Sequence, residues 1–215
     1  MKVVSVNIGE KQTIIWRKQE VTTGIFKYPV DHAIRLESED VVNDHVVDRR
    51  FHGGIDKACY LFSLDHYAHY KERFPDATWS MGMFGENITV DGLVESSLKI
   101  GSRYRVGTAE IEISQPRQPC SKLGVRFDDP LVLKEMINSY KCGSYVRVIQ
   151  AGDVTVGDEF ELISASDGLS IKDIFQLLYG KHMIAELAGA AVADDRLASS
   201  AREELKKRYT NIDPQ

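Results

Sequence analysis

The sequence predicts a mainly β fold with additional helices, in which a β-barrel with covering helices is followed by a C-terminal three-helix module. Residues 1–165 carry short runs of strand-forming residues separated by Gly, Asp and Pro. Two stretches within this part have helical character. After about residue 166 the apolar period changes from two toward 3.6 residues. We therefore divide the chain into a barrel domain, 1–165, and a helical module, 166–215.

The predicted barrel elements follow one another at short intervals. The strands are Val3–Ile8, Ala58–Ser63, Ile88–Val90, Tyr104–Val106, Ala109–Ser114, Tyr145–Gln150 and Glu159–Ile163. Helices are predicted near Asp65–Arg73 and Pro130–Tyr140, the second capped by Asp129, and both are expected to cover an open barrel end. The closing segments Gly143–Val148, Ala151–Val154 and Val156–Asp158 predict a strand, a tight turn and a strand, as in an antiparallel barrel.

The helical module is predicted to begin at Ser170, which stands in capping-box spacing with Asp173. A second helix is expected at His182–Leu187 and a third at about Asp194–Arg208. The predicted inward faces are Ile171, Ile174, Phe175 and Leu178 in the first helix and Leu197, Ala201 and Leu205 in the third. The residues Arg202, Lys206, Lys207 and Arg208 are expected to face water. With no Cys and only His182 as a candidate ligand, we interpret the module as a packing or homodimerisation element.

Composition excludes several classes of function. The 215 residues carry a formal net charge of -5, which lacks the basic excess that phosphate-backbone binding requires, so nucleic acid is not expected as a partner. No run approaches the roughly 20 apolar residues of a membrane span, and the N-terminus lacks the features of a signal peptide. We expect a cytoplasmic protein without a membrane partner. Its three cysteines are too few for a disulfide framework, so we expect them to be reduced.

A loop rich in glycine and cations precedes the strand at Ala58. It runs from Asp48 to Lys57 and contains Arg49, Arg50, His52, Gly53 and Gly54. The glycines allow close backbone approach to a ligand, and the cationic side chains can donate to an anion such as a phosphate-bearing cofactor. A tight turn with ordinary surface charges is the alternative.

A second polar segment, Phe84–Thr89, lies at the mouth of a strand. Asn87 can both donate and accept hydrogen bonds, as the edge of a heterocycle such as a pterin requires. Taken alone, the segment is equally typical of a turn.

The third candidate is Cys120, which ends a loop containing Pro116 and Pro119. The prolines stiffen the loop, and the neighbouring Arg117 and Lys122 favour thiolate over thiol. A thiolate at this position can act as a nucleophile or as a soft metal ligand. Cys59, in an apolar strand, and Cys142, in a turn, are interpreted as structural.

Five ordered motifs resemble the MOSC domain of molybdenum-cofactor sulfurases and of stand-alone proteins of the YiiM type. They are Lys27-Tyr28-Pro29-Val30, His52-Gly53-Gly54-Ile55-Asp56-Lys57-Ala58, Gly85-Glu86-Asn87-Ile88-Thr89, Pro116-Arg117-Gln118-Pro119-Cys120-Ser121-Lys122-Leu123 and Gly143-Ser144-Tyr145-Val146-Arg147-Val148. The helical tail resembles the extension of the YiiM type, so the resemblance spans nearly the whole chain. One departure is Asn43-Asp44 where relatives have Gly-Asp, although Asn tolerates positive φ.

The resemblance implies a MOSC β-barrel that carries the molybdenum cofactor, with Cys120 as the thiolate ligand of molybdenum. It places six further residues around the cofactor: His52, Gly53, Gly54, Lys57, Asn87 and Arg117. It also implies reduction of N-hydroxylated base analogues, such as 6-hydroxylaminopurine, to their amines. Because no Gly-x-Gly-x-x-Gly fingerprint follows a strand, electrons are expected from a separate reductase.

Three alternatives remain at this point. The protein could be a carrier that holds the cofactor, or a persulfide on Cys120, without turnover. Cys120 could instead be a hydrolytic nucleophile with a base such as His52, although no orienting group for that base is evident. His66 and His69 could bind zinc, but no cysteine stands near them and we expect both to be solvated.

Overall fold

The computed structural model describes residues 1–47, 53–180 and 185–210. Its strands are β1 Lys2–Gly9, β2 Gln12–Trp16, β3 Gln19–Thr23, β4 Lys27–Pro29, β5 Ile34–Leu36, β6 Cys59–Ser63, β7 Ile88–Asp91, β8 Arg103–Val106, β9 Ala109–Pro116, β10 Ser144–Gln150, β11 Gly152–Val154 and β12 Glu161–Ser164. Its α-helices are α1 Asp65–Arg73, α2 Ser121–Phe127, α3 Leu131–Ser139, α4 Ile171–Tyr179, α5 Ala185–Ala193 and α6 Ser199–Thr210, and a short 3-10 helix spans Ile55–Lys57.

Eight strands form one mixed sheet in the order β12-β8-β9-β10-β6-β7-β1-β4, curled into a half-barrel. Backbone hydrogen bonds connect the region of β1 with the segment just before β12, near the other end of the strand order. Val3 N donates to Asp158 O at 2.8 Å, and Phe160 N donates to Met1 O at 3.0 Å. The mainly β prediction with added helices is confirmed. Two details of the predicted barrel are wrong, and both concern strand pairing.

The predicted antiparallel barrel contains a parallel pair, because β6 and β7 run in the same direction with Leu61 opposite Ile88. Helix α1 lies in the connection between them, as a parallel crossover requires. The expected closing hairpin is absent as well, since β11 pairs with β5 and not with β10. Burial explains this pairing, because Val154, Ile34 and Leu36 are buried together where the two strands meet.

Several local elements had no recognised sequence signal. The β2–β3 hairpin turns at Arg17 and Lys18, which have φ of 51° and 65° although neither is glycine. Such a turn normally carries Asn-Gly or Asp-Gly, so the pattern was missed. Helix α2, directly after Cys120, was also missed. Helices α1 and α3 lie where they were predicted, and Asp129 accepts a bond from Leu131 N at 2.8 Å.

In the helical module the Ser170–Asp173 capping box is present, and the predicted inward residues of α4 and α6 are buried. The third helix starts later than predicted, at Ser199, because Asp194 instead binds Arg196 through backbone and side chain. Residues 182–184 of the predicted second helix lie outside the described part, and the observed helix continues to Ala193. The expectation that Arg208 faces water is wrong, since it donates to Gly180 O at 2.6 Å.

One hydrophobic core extends from the barrel into the module. It contains barrel residues such as Ile111 and Ile113 together with Phe175 and Leu205 of the module. The two parts therefore pack on each other, and the division at residue 165 stays a prediction.

Candidate functional site

A pocket lies where the three candidate segments meet. Lys57, Asn87, Arg117 and Cys120 all contribute to its wall. The enclosed part of the pocket has a volume of about 90 Å³, and its mouth opens to solvent. The remaining lining residues are Thr23, Gly24, Ile25, Lys27, Asp44, His45, Val46, Val47, Ala58, Tyr60, Gly85, Lys122 and Tyr145. Side chains far apart in sequence thus share one concave surface.

Two other predicted positions do not lie on this wall. Gly53 and Gly54 are described but are not among the residues that line the pocket. Gly54 has φ of 90° and would have open space around an added Cβ, so its glycine serves the turn into the 3-10 helix. His52 lies outside the described residues.

The thiol of Cys120 is held by a buried guanidinium. Cys120 has extended backbone directly before α2 and is half-buried. Arg117 donates from Nη2 to Cys120 Sγ at 3.2 Å and from Nη1 to Gln118 O at 2.8 Å. A cation that donates to sulfur stabilises the thiolate, which is the nucleophilic and metal-binding form.

Arg117 remains charged although it is buried. Its guanidinium carbon lies 5.5 Å from the ring centre of Tyr60 and 5.7 Å from that of Tyr145. Burial alone lowers the pKa of Arg117, but Cys120 and the two tyrosines outweigh it and raise that pKa above its usual value. The tyrosines stay neutral, because burial raises the pKa of each phenol.

Asp44 organises the opposite wall. Its carboxylate forms an ion pair with Lys27, accepts from Gly9 N at 2.9 Å and accepts from Asn87 Nδ2 at 3.0 Å. Asn43, directly before it, has φ of 66°, so the Asn-for-Gly departure preserves the turn. Asn87 also accepts from Tyr60 N at 3.2 Å, which leaves its amide engaged with the protein's own groups.

Sequence reasoning had not singled out Asp44 and Lys27 as site residues. Lys27 was quoted within a motif, and Asp44 appeared only beside the Asn43 departure. Their pairing joins strand β4 to the turn that contains Asn43, which no local pattern predicts. The sequence did contain a signal for both: each is a charged residue within a family motif, Lys27 in Lys27-Tyr28-Pro29-Val30 and Asp44 in Asn43-Asp44.

Lys57 adds a further positive charge to the pocket. Burial lowers the pKa of this half-buried lysine, and the positive charge of Arg117 lowers it further. With Lys27, Arg117 and Lys122 it makes the lining predominantly cationic, with Asp44 as the acidic residue of the described wall. Such a surface favours an anionic ligand.

The other two cysteines are inaccessible. Cys59 is buried, and burial raises the pKa of its thiol to about 12. Cys142 is buried as well, its thiol donates to Gly143 O at 3.3 Å, and burial raises its pKa well above the usual value. Among the three thiols, Cys120 is thus the one exposed to the pocket.

The expectation that His66 and His69 are solvated is wrong. His66 is buried with Nε2 at 2.8 Å from Glu95, and His69 Nε2 lies 2.7 Å from Glu135. No group of three His, Cys, Asp or Glu suited to a metal occurs within the described ranges.

Comparison with known proteins identifies the family. The MOSC domain model matches residues 48–161, more than half of the chain. The chain belongs to the MOSC domain family. MOSC domains are associated with binding of the molybdenum cofactor. The family resemblance of the sequence motifs is thereby confirmed.

MOSC relatives match over most of the chain. The uncharacterized protein YflK of Bacillus subtilis is 34% identical over 99% of this chain and 96% of its own length. Protein YiiM of Escherichia coli is 33% identical over 70% of this chain and 68% of its own length. A protein named "Reductase" from Gibberella moniliformis is 26% identical, and the match covers 90% of this chain but 36% of that protein.

Solved structures share the fold. The crystal structure of YiiM from Geobacillus stearothermophilus is 32% identical, with a TM-score of 0.80 over 96% of this chain and 98% of that one. The crystal structure of YiiM from Escherichia coli has a TM-score of 0.72 over 97% of this chain and 92% of that one, at 24% identity. In the described part of the chain no helix has the length and apolar character needed to cross a membrane.

The chemistry of the pocket suits the cofactor that MOSC domains bind. An accessible thiol beside a guanidinium supplies a soft anionic ligand, which suits a transition metal. The cationic lining suits a phosphate, and the buried aromatic rings of Tyr60 and Tyr145 suit a flat heterocycle. The residues present therefore fit a phosphorylated pterin that carries a metal.

Proposed function

We propose that this MOSC protein binds a molybdenum cofactor in the pocket, with Cys120 as the protein's metal ligand, and reduces small N-hydroxylated compounds. Base analogues such as 6-hydroxylaminopurine are the substrate class. The observation that carries the proposal is the contact of Arg117 with Cys120 Sγ, which prepares an accessible thiolate at the pocket wall. The MOSC relatives, one of them named a reductase, support it.

The residues of the pocket wall have different roles in binding the cofactor. Lys57 and Lys122 provide positive charge for the phosphate of the cofactor, whereas Lys27 pairs with Asp44 in the opposite wall. Arg117 keeps the Cys120 thiolate charged and oriented. Asn87 orients Asp44 and the backbone of Tyr60, and thereby maintains the shape of the wall. We also propose His52, Gly53 and Gly54 as cofactor neighbours, because they stand in the loop that leads to Lys57.

Reduction of an N–OH group breaks the N–O bond, consumes two electrons and two protons, and releases an amine and water. When bound, the cofactor supplies the two-electron chemistry of this reaction. The electrons come from a separate reductase, because the sequence has no nucleotide-binding fingerprint of its own. The protein binds and orients the cofactor and the substrate, and it excludes water from the reacting groups.

The test is metal analysis of the full chain made in cells that synthesise molybdenum cofactor and in cells that cannot. We expect molybdenum and pterin in the first preparation alone, with turnover of 6-hydroxylaminopurine when a reduced dye supplies electrons. Cyanide-labile sulfur without molybdenum would contradict the proposal and favour a persulfide carrier. Bound molybdenum without turnover of any N-hydroxylated compound would contradict the reductase and leave a cofactor carrier.

A further inference from the structure

Helix α6 of the C-terminal module lies directly against the segments that build the pocket. At its start, Ala198 N donates to Ser114 O at 3.1 Å, and Ser200 Oγ donates to Gln115 Oε1 at 3.0 Å. Ser199 N lies 3.2 Å from Asp56 Oδ2, and Asp56 is the neighbour of Lys57. The helix therefore touches both the strand that leads to Cys120 and the end of the loop that carries Lys57.

One turn further along α6, Glu204 reaches the Cys120 loop itself. Its carboxylate accepts a hydrogen bond from Gln118 Nε2, and both residues are half-buried. The carbonyl of Gln118 in turn accepts from Arg117 Nη1, and Arg117 Nη2 donates to Cys120 Sγ. A continuous chain of hydrogen bonds thus connects the module to the thiol.

The loop needs such support because its own backbone offers little. Pro116 and Pro119 have no N–H to donate. Arg117 N makes a long bond of 3.4 Å to Gly143 O. Side-chain bonds must therefore fix much of the loop. Among the described residues of the module, Ser200 bonds Gln115 at the end of β9, and Glu204 bonds Gln118 within the loop itself.

We propose that α6 positions Cys120, with Glu204 fixing the loop of Arg117 and Cys120 by holding the side chain of Gln118. Glu204 is a positioning residue, since it acts through Gln118 and not on the cofactor. The module is then a working part of the site and more than a packing element. The inference rests on the proposed function only for the role of Cys120 as metal ligand.

The test compares four full-length variants. Glu204→Ala and Gln118→Ala remove the bond from opposite ends, whereas Glu204→Gln keeps an acceptor at the same place. Glu203→Ala is the matched control, because Glu203 is the exposed neighbour on the same helix. Amide hydrogen exchange of the peptide covering 115–122 is measured on cofactor-free protein, and molybdenum content on protein made with cofactor.

In both bond-breaking variants we expect exchange within 115–122 to rise by at least about threefold, at unchanged melting temperature, with lower molybdenum content. Glu204→Gln and Glu203→Ala should match the wild type. Unchanged loop exchange, a uniform rise across the barrel, or unchanged molybdenum content in Glu204→Ala would overturn the inference. Wild-type protein without molybdenum would overturn the proposed function instead, and the exchange data would still decide the role of Glu204 in fixing the loop.

Discussion

The guanidinium of Arg117 joins the backbone and the thiol of one loop, donating to Gln118 O at 2.8 Å and to Cys120 Sγ at 3.2 Å. Both bonds come from one planar group, so the loop and the sulfur are held in a common geometry. Lysine has the charge but lacks the planar fork that makes two directed bonds.

Arg117→Lys is therefore expected to fold and yet to retain less molybdenum than the wild type. We expect its unfolding free energy to fall by about 1–2 kcal/mol, because a buried residue loses a hydrogen bond and aromatic contacts. Urea unfolding and metal analysis measure the two effects. The matched control is Arg105→Lys, whose partner is Glu161 at the exposed surface and which should change stability by less than about 0.5 kcal/mol. Equal molybdenum content in the two variants would refute the role assigned to Arg117.

Cys120→Ser is expected to keep the fold, weaken molybdenum retention and abolish reduction of N-hydroxylated substrates. A serine hydroxyl is a harder and more weakly donating ligand than a thiolate. The stability change should be only about 1 kcal/mol, because the side chain is half-buried at the end of a loop.

Cys59→Ser and Cys142→Ser are the controls for that variant and should leave the chemistry intact. Cys59→Ser should cost more stability than Cys120→Ser, since it places a hydroxyl in an apolar strand. Thermal unfolding, molybdenum content and turnover with a reduced dye are measured on all three. Full turnover by Cys120→Ser at wild-type metal content would remove Cys120 from the proposed mechanism.

The buried thiol of Cys59 predicts a loss of stability at alkaline pH. Burial raises its folded-state pKa from 9.0 to about 12, so its contribution is complete below pH 9. Above pH 9 the unfolded thiol ionises while the folded one stays protonated, which favours unfolding. The stability advantage of the wild type over Cys59→Ala should therefore shrink by about 1.4 kcal/mol at pH 10 relative to pH 7. Chemical denaturation of both proteins at each pH measures this difference, and a constant gap would contradict burial of the thiol.

The capping box of α4 predicts a stability effect without a functional one. Ser170 Oγ accepts from Asp173 N at 3.1 Å, and Ser170 N donates to Asp173 Oδ2 at 3.1 Å. Ser170→Ala should cost about 1 kcal/mol of unfolding free energy. Ser199→Ala, at the start of α6, is the control. It should cost less stability, because Ser199 bonds Asp56 through its backbone N–H, which alanine keeps. Loss of molybdenum from a folded Ser170→Ala protein would show that α4 also shapes the pocket.

The sequence alone determined what depends on local chemistry. Cys120, directly after Pro119 and close to Arg117, predicts a reactive thiol, and Ser170 three residues before Asp173 predicts a helix start, because the atoms concerned are neighbours along the chain. The tertiary structure decided the pairing of β11 with β5, the ion pair of Lys27 with Asp44 and the hydrogen bond that Gln118 donates to Glu204. These partners are 17 residues apart for Lys27 and Asp44, 86 for Gln118 and Glu204, and 116 to 120 for β5 and β11, and they meet only because burial of the shared core brings their strands and helices together. Local patterns therefore identify the reactive sulfur, whereas the packed fold decides which charges surround it and which helix holds its loop.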